Sequence, residues 1–525
     1  MDNSKADEIF KEFKEHSVSE FFKKNRQMLG YSSISRSIVT VVHEYVTNSL
    51  DACEEAGILP SIFVKIEKQE ENKFKVIIRD NGPGIPKNYI GKALAVILAG
   101  TKFHRFIQQR GQQGIGAAGC TLFSQITTGK PIFVKSNTGK NAYSCNVSID
   151  TKSNKPIISN LTEINESEQG LYVEINLADV KYINGEHSVY EYLRRTALSN
   201  PHIEIKFISP DNEEFIFLRA VEEIPRKSKP IKPHPLGLTV NDLFEYASYS
   251  KSNKLSLFLL ETFSRVTRDK LKEITDIDLN KDPKKITWEE AEKLIQHFKK
   301  IKWMLPDTNS VIPIGEKQIK IALENILNPE YMFVTERKPL VFRGGIPFVV
   351  EAAIAFGGNS GNKQENESFA NILRFANRVP LLFDAGNCAI TSAVKTIEWK
   401  RYGLDLETQP ISIFVNVSSV YIPYEGVGKE AISKEEEIIN EIRFALMESA
   451  RGIQKYIKGK QQINYEVNKY KTIMRYSKQL AQDLSSITGK DLSDITLKIN
   501  KLVEKHYKKI LNTKNEEKEE DKNES

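Results

Sequence analysis

Three short motifs follow one another between residues 44 and 119, and no other feature limits the possible folds as sharply as their order. The first is Glu44-x-x-x-Asn48-x-x-Asp51, within ISRSIVTVVHEYVTNSLDACEEAGI. Ser32, Ser33 or Ser35 can cap a helix here, and Ile38, Val42, Tyr45 and Val46 recur at the spacing of a buried stripe. At ~100° per residue, Glu44, Asn48 and Asp51 share one strip on the opposite surface. Taken alone, such a strip is a solvated polar face.

The second motif ends the segment SIFVKIEKQEENKFKVIIRDNGPGIP, which reads as two apolar strands joined by a Glu-Asn turn. The second strand runs into Asp80-Asn81-Gly82-Pro83-Gly84. A carboxylate at a strand end, beside Gly82 and Gly84, can accept hydrogen bonds from an exocyclic amine while the backbone stays close enough to hold a flat ring. A tight turn is the plain alternative for D-N-G. The third motif, RGQQGIGAAGC, sets Gly111, Gly114, Gly116 and Gly119 before a segment that can begin a helix. Backbone N–H groups at such spacing can converge with a helix N-terminus on a phosphate chain. No Gly-Lys-Ser/Thr follows, so it is not a Walker A loop, and no βαβ unit surrounds it, so it is not a dinucleotide fingerprint.

Length and composition bound the rest. A chain of 525 residues, 40% hydrophobic and 27% charged, exceeds what one core organises, and about three domains plus a tail are expected. The net charge of +6 suits passing contact with nucleic acid rather than a dedicated DNA-binding domain. Cys53, Cys120, Cys145 and Cys388 lie far apart without a CxxC pair, so neither a zinc site nor a disulfide framework is expected, and a reducing cytoplasm fits. The first residues are charged and lack a signal-peptide core, and the apolar runs near 93–99 and 348–356 fall short of the ~18 residues that span a bilayer. No membrane segment is expected.

Pro225, Pro230, Pro233 and Pro235 mark 223–237 as a linker. Residues 239–300 read as helical, with Thr239 as a cap and Leu255, Leu259 and Phe263 at four-residue spacing. β-like runs return between about 311 and 422, and an amphipathic helix with Ile438, Ile442 and Leu446 on one face follows Ser433. Beyond Gly459 come further helical segments, one carrying a narrow stripe of Leu492, Ile495, Ile499 and Leu502, and then a charged run expected to be disordered.

In order and spacing the three motifs resemble those of the GHKL ATPases, the superfamily of gyrase-type topoisomerases, MutL, the large heat-shock chaperones and histidine kinases. The resemblance implies ATP and Mg²⁺ as cofactors. It makes Glu44 the general base that polarises the attacking water, Asn48 the Mg²⁺ ligand, and Asp80, with Gly82 and Gly84, the adenine reader. Gly111, Gln112, Gln113, Gly114, Ile115, Gly116, Ala117 and Ala118 would wrap the phosphates as a lid. Thr101 and Lys102 match positions that touch phosphate in relatives, and a surface lysine is the other reading of Lys102. One Asn plus phosphate oxygens is enough for Mg²⁺, which takes few protein ligands and keeps its waters.

Four longer phrases look more specific: NSLDACEEAGILP, FSRVTRDKLKEI, GIPFVVEAAIAFGG and RFANRVPLLFDAGNCAITSAV are similar to the B subunit of DNA topoisomerase VI, and the likeness runs from about residue 20 to 470. It implies an α+β multidomain fold: a GHKL (Bergerat) ATPase sandwich with an N-terminal extension at 1–235, and a helix-two-turn-helix domain at 236–310. A transducer with a left-handed βαβ unit and a long final helix would fill 311–475, with partner-binding helices and a charged tail at 476–525. The helical insertion could bind DNA or act as a spacer. A transducer lysine enters the ATP site in that family, and Lys429 in PYEGVGKEAI is the match. None of the 19 tyrosines has a recognisable nucleophile context, so strand cutting is assigned to another chain. The implied partners are a DNA-cleaving A subunit in an A2B2 heterotetramer, a second copy of this chain on ATP binding, and double-stranded DNA. The implied activity is relaxation and decatenation by double-strand passage, in a cytoplasmic, nucleoid-associated protein. A MutL-like repair clamp or a chaperone is the alternative that shares the site.

Overall fold

The helix that carries Glu44 is fixed at both ends by the residues its sequence offers. In α1 (Ile34–Ala56), Ser33 Oγ accepts from Arg36 N at 3.1 Å, and Gly57 closes the C-terminus at φ 74. Ile38, Val42, Tyr45 and Val46 are all buried, as the stripe requires. A computed structural model describes residues 30–31, 33–97, 106–111, 114–364, 367–426 and 428–506.

β1 (Ser61–Glu70) and β2 (Lys73–Asp80) form the antiparallel hairpin expected, turning through Asn72 at φ 56. With β3 (Ile132–Asn137), β4 (Ala142–Asp150), β5 (Lys155–Glu163), β6 (Gly170–Ala178), β7 (Glu204–Ile208) and β8 (Glu214–Phe217) they make an 8-stranded sheet in the order β5-β4-β3-β6-β2-β1-β7-β8. Only β1 and β7 pair in parallel. Burial alternates along β1 and β4, because one face packs on helices and the other does not. The covering helices are α1, α2 (Ile90–Ala95), α3 (Gly116–Thr128) and α4 (Val189–Ser199), and Val42, Val46, Leu122, Phe123 and Tyr192 join Val64 and Val147 in one core. This layering puts the C-terminal end of β2, and hence Asp80, under α1.

Residues 223–230 form no regular element, yet the segment is pinned: Ser228 Oγ donates to Gln108 O at 2.8 Å, and Ile231 N donates to Phe106 O at 2.8 Å. Beyond it, α5 (Val240–Ser248), α6 (Leu255–Thr262), α7 (Arg268–Leu271) and α8 (Trp288–Lys300) enclose their own core around Leu243, Phe258, Phe263, Leu294 and Phe298. Capping boxes at Thr239/Asp242 and Thr287/Glu290 start α5 and α8.

A second sheet follows α9 (Glu316–Leu327). Its strands are β9 (Tyr331–Glu336), β10 (Leu340–Phe342), β11 (Ile346–Phe356), β14 (Asn371–Ala376), β15 (Val379–Pro380) and β16 (Ile411–Ser419), while β12 (Asn362–Gln364) and β13 (Glu367–Phe369) pair as a separate ribbon. β14 and β16 are parallel, with α10 (Ala389–Lys395) in the connection between them. β16 is buried at every position, the mark of a strand covered on both faces. Leu198 of α4 shares a core with Ile319, Leu323, Val334, Phe375 and Phe414, so the second sheet grips a helix of the first layer.

The final helix departs from the sequence reading. Where further, separate helical segments are expected beyond Gly459, α11 (Glu436–Thr488) runs 53 residues without interruption, roughly 80 Å at 1.5 Å per residue. One glycine costs a helix only about 1 kcal/mol, and links such as Gln462 to Glu466 at 3.2 Å and Gln479 to Asp483 at 3.1 Å span its later turns. Gly489 at φ 66 ends it, and residues 492–506 form another helix on which Leu492 and Leu502 are exposed. The described residues divide into two compact units: those before 398 with 406–449, and 398–405 with those from 450 onward. Among the described residues no helix is long and apolar enough to cross a membrane.

Candidate active site

A cavity of about 840 Å³ lies within the first unit, walled by α1, the end of β2, the start of α3 and residues 428–430. Each of the three motifs reaches it. Glu44 is half-buried on the α1 wall, and its carboxylate accepts no hydrogen bond among the described residues. Asn48, one turn on, is exposed to the cavity. Asp51, another turn on, is not: the strip is continuous around the helix, but at Asp51 it is covered. Its carboxylate receives Arg110 Nη1 at 2.9 Å, and its side chain is 9% exposed.

Arg110 explains how the glycine loop is entered. Its guanidinium also donates to Glu54 Oε1 and to Asn200 Oδ1, each at 2.6 Å, and His202 Nε2 lies 2.8 Å from the same Glu54 oxygen. Burial works to raise the Glu54 carboxyl, but Arg110 and His202 beside it hold it well below the ordinary range. The residue before Gly111 is thereby tied to α1, and Gly111 passes over Asn48, where a Cβ would come 3.9 Å from Asn48 Oδ1. Gly114 has φ 59, a conformation that favours glycine. α3 then begins at Gly116 without a side-chain cap. Its first N–H groups, on Gly116, Ala117 and Ala118, line the cavity with the positive end of a helix, which suits an anion. The approach is tight: a Cβ on Gly116 would lie 1.9 Å from Glu44 Oε2.

At the other end, Asp80 is buried and receives three donors: Ser49 Oγ at 2.6 Å, Gly82 N at 2.9 Å and Leu171 N at 3.1 Å. Burial pushes its carboxyl up, and the three donors pull it back. Gly84 at φ 69 has no room for a side chain, since a Cβ would sit 2.4 Å from Asn137 O. From the second sheet comes Lys429, whose Nζ lies 3.5 Å from Arg110 O. Beside it, Glu430 faces Arg36 of α1 at 3.2 Å, and burial pushes its carboxyl up to about 7 against the pull of Arg36.

Two family models match the chain. The family model of histidine kinase-, DNA gyrase B- and HSP90-like ATPases matches residues 33–152, and that of the topoisomerase VI B subunit transducer matches 306–469. The B subunit of type 2 DNA topoisomerase 6 from Pyrococcus horikoshii is 42% identical over 95% of this chain and 97% of its own length. The chain belongs to this family. Its relative of the same name from Methanothermobacter thermautotrophicus is 46% identical over 88% of this chain and 90% of its own. The ATPase region of Saccharomyces cerevisiae topoisomerase II aligns with 85% of this chain and 98% of its own at a TM-score of 0.41 and 11% identity.

Membership in the family of topoisomerase 6 B subunits carries with it the GHKL-type ATPase region and the transducer, and the transducer match separates the chain from a repair clamp or a chaperone. Of the residues picked out from the sequence, Glu44, Asn48, Asp80, Gly84, Gly111, Gly114, Ile115, Gly116, Ala117, Ala118 and Lys429 line the one cavity. Gly82 packs behind it, where a Cβ would meet Asp80 Oδ1 at 3.0 Å. Thr101, Lys102, Gln112 and Gln113 lie outside the described residues. Sequence reasoning missed Ser49 and Arg110. Ser49 was visible beside Asn48, on the face turned toward the sheet; Arg110 adjoins Gly111, but its partners come from α1 and from Asn200.

Proposed function

We propose that this chain is the ATP-operated gate of a type II DNA topoisomerase, binding and hydrolysing ATP in the cavity and signalling to a separate DNA-cleaving subunit. One observation supports this most: residues from α1, the end of β2, Gly111, Gly114 to Ala118 and the distant transducer loop all face a single cavity. Glu44, free of other hydrogen bonds among the described residues, polarises the attacking water. Gly111 and the residues from Gly114 to Ala118 cradle the phosphates with backbone N–H groups, and Lys429 reaches the terminal phosphate from the transducer. The donor set suits Mg²⁺ carried in by the nucleotide: one carboxamide faces the cavity, and among the described residues no group of three His, Cys, Asp or Glu side chains could cage a metal. When bound, the ion would neutralise charge on the phosphates, with Asn48 as its protein ligand.

The family resemblance makes Asp80 the adenine reader, and its hydrogen bonding leaves room for that role. An ionised carboxylate has about four lone-pair sites, and Ser49, Gly82 and Leu171 occupy three, leaving one for an exocyclic amine. In Asp80→Asn the amide oxygen must stay with the two backbone donors, which turns the NH₂ toward the adenine amine. ATP affinity should fall by roughly tenfold to a hundredfold, the worth of a mismatched buried hydrogen bond. Titration calorimetry showing wild-type affinity would remove Asp80 from adenine recognition.

ATP binding brings two copies of the chain together around one duplex, because the nucleotide favours the closed dimer and hydrolysis removes the bias. The assembly is an A2B2 heterotetramer, working on the nucleoid in the cytoplasm. The DNA-cleaving A subunit docks on the helix at 492–506, whose stripe of Leu492, Ile495, Ile499 and Leu502 ends with Leu492 and Leu502 exposed. The test is reconstitution. The full chain, purified with its cleaving partner, should relax supercoiled plasmid only with ATP, and a chain cut after Gly489 should lose both co-purification and relaxation. Relaxation without ATP would refute the gate, and wild-type binding of the cleaving subunit by the shortened chain would move the interface elsewhere.

A further inference from the structure

We propose that Arg36 and Glu430 are paired positioning residues for ATP turnover, an ion pair that straps the loop bearing Lys429 onto the helix bearing Glu44. The inference rests on the reading of Lys429 just given and adds the device that aims it. The loop is a narrow turn: Tyr424 and Ile432 pair as an antiparallel bridge, Glu425 N donates to Ala431 O at 3.0 Å, and Lys429 N donates to Gly426 O at 3.2 Å. Lys429 itself sits at φ 54. A residue with a Cβ stays in that left-handed region only where its surroundings over-determine it.

Glu430 supplies the constraint from three directions. Its carbonyl accepts from Arg374 Nη1 of β14 at 3.4 Å, its Oε2 accepts from Phe383 N at 3.3 Å, and its Oε1 lies 3.2 Å from Arg36 Nη2. The first two partners belong to the second sheet and its loops; Arg36 ties the loop to α1. The Arg36 and Glu430 side chains are 12% and 13% exposed, so solvent screens the pair weakly. The guanidinium is itself aimed, 4.6 Å over the Phe383 ring and 3.6 Å from Asp384. Its Nε is buried without a partner among the described residues, a cost that an arginine turned to solvent would escape. Arg36 stands in the first turn of α1, and Glu44 follows eight residues later, about 12 Å along the axis. Consecutive Cα atoms are about 3.8 Å apart, so holding Glu430 against α1 sets where Lys429 starts relative to Glu44.

ATPase kinetics of the full chain test this, with Glu430→Gln, Arg36→Gln, the exchanged pair Arg36→Glu with Glu430→Arg, and Lys429→Ala measured side by side. Both single variants should lower kcat about tenfold or more while KM changes less than about threefold, since the adenine contacts are remote. The exchanged pair should recover most of the loss, as a direct ion pair requires, and a loss in kcat with KM held sets the role apart from a purely structural one. Unchanged kcat in the folded single variants, or a loss that the exchange does not recover, overturns the proposal. If Arg36→Gln fails to fold, Glu430→Gln decides alone. Full kcat in Lys429→Ala would instead sink the reading of Lys429, whereas loss there with unchanged Glu430→Gln would keep that reading and remove the strap.

Discussion

Glu44→Ala should lower the ATPase rate by roughly 10²–10⁴, the usual worth of a positioned general base, with ATP affinity nearly unchanged. The separation follows from where the residue stands. The donors that hold Asp80 belong to Ser49, Gly82 and Leu171, not to Glu44. The proposed phosphate cradle is backbone, from Gly114 to Ala118, and removing a carboxylate beside it takes negative charge away from where an anion would lie. Affinity should hold or rise slightly. Single-turnover hydrolysis together with equilibrium binding of a non-hydrolysable analogue measures both terms. Hydrolysis within a few-fold of wild type would take Glu44 out of the chemistry.

How much of this could be read from residues alone depended on whether a signal was local. The α1 helix, its buried stripe, the β1/β2 hairpin with its Glu-Asn turn and the helix that follows the glycine motif all rest on period, capping and turn residues, and all stand as expected. Asp51 did not. Its place on the Glu44 strip was right in angle, but what covers it is Arg110, brought over by a loop that sequence periodicity does not describe. The continuity of α11 through Gly459 was missed for a related reason. A glycine and a change of pattern suggest a break, yet about 1 kcal/mol cannot outweigh the turns on either side.

Lys429 marks the limit of local reasoning. Nothing in its spacing distinguishes it among 75 Lys and Arg residues, and it came only from resemblance. Its neighbours explain why. Arg36, Phe383, Arg374 and Glu430 are scattered over almost four hundred positions, and their meeting depends on how the second sheet packs on α4 and α1. Residues whose partners lie within one helix turn or one hairpin are legible from sequence; those whose partners arrive from another sheet are not.

The second large effect is expected at a residue with no side chain. Gly116→Ala adds a Cβ that would lie 1.9 Å from Glu44 Oε2 and 2.5 Å from its carboxyl carbon, distances that real contacts do not reach. α3 cannot easily retreat, because its next turns bury Ala118, Cys120, Leu122 and Phe123 in the core of the first sheet. The backbone at Gly116 is helical, so alanine costs nothing in φ and would be favoured by helix propensity alone. The carboxylate must therefore move, by about 1 Å or more, from a position where it accepts no hydrogen bond into one away from the phosphate end. A displacement of that size costs catalysis on the order of 10²-fold. Melting temperature should change little, since the added methyl displaces a half-exposed side chain rather than the core. The combination sets the substitution apart from an unfolding defect, and it should not add to Glu44→Ala: the double variant should turn over ATP no more slowly than Glu44→Ala itself. If Gly116→Ala alone kept wild-type hydrolysis, or if its effect multiplied that of Glu44→Ala, the close approach of loop and carboxylate would not be what sets the rate.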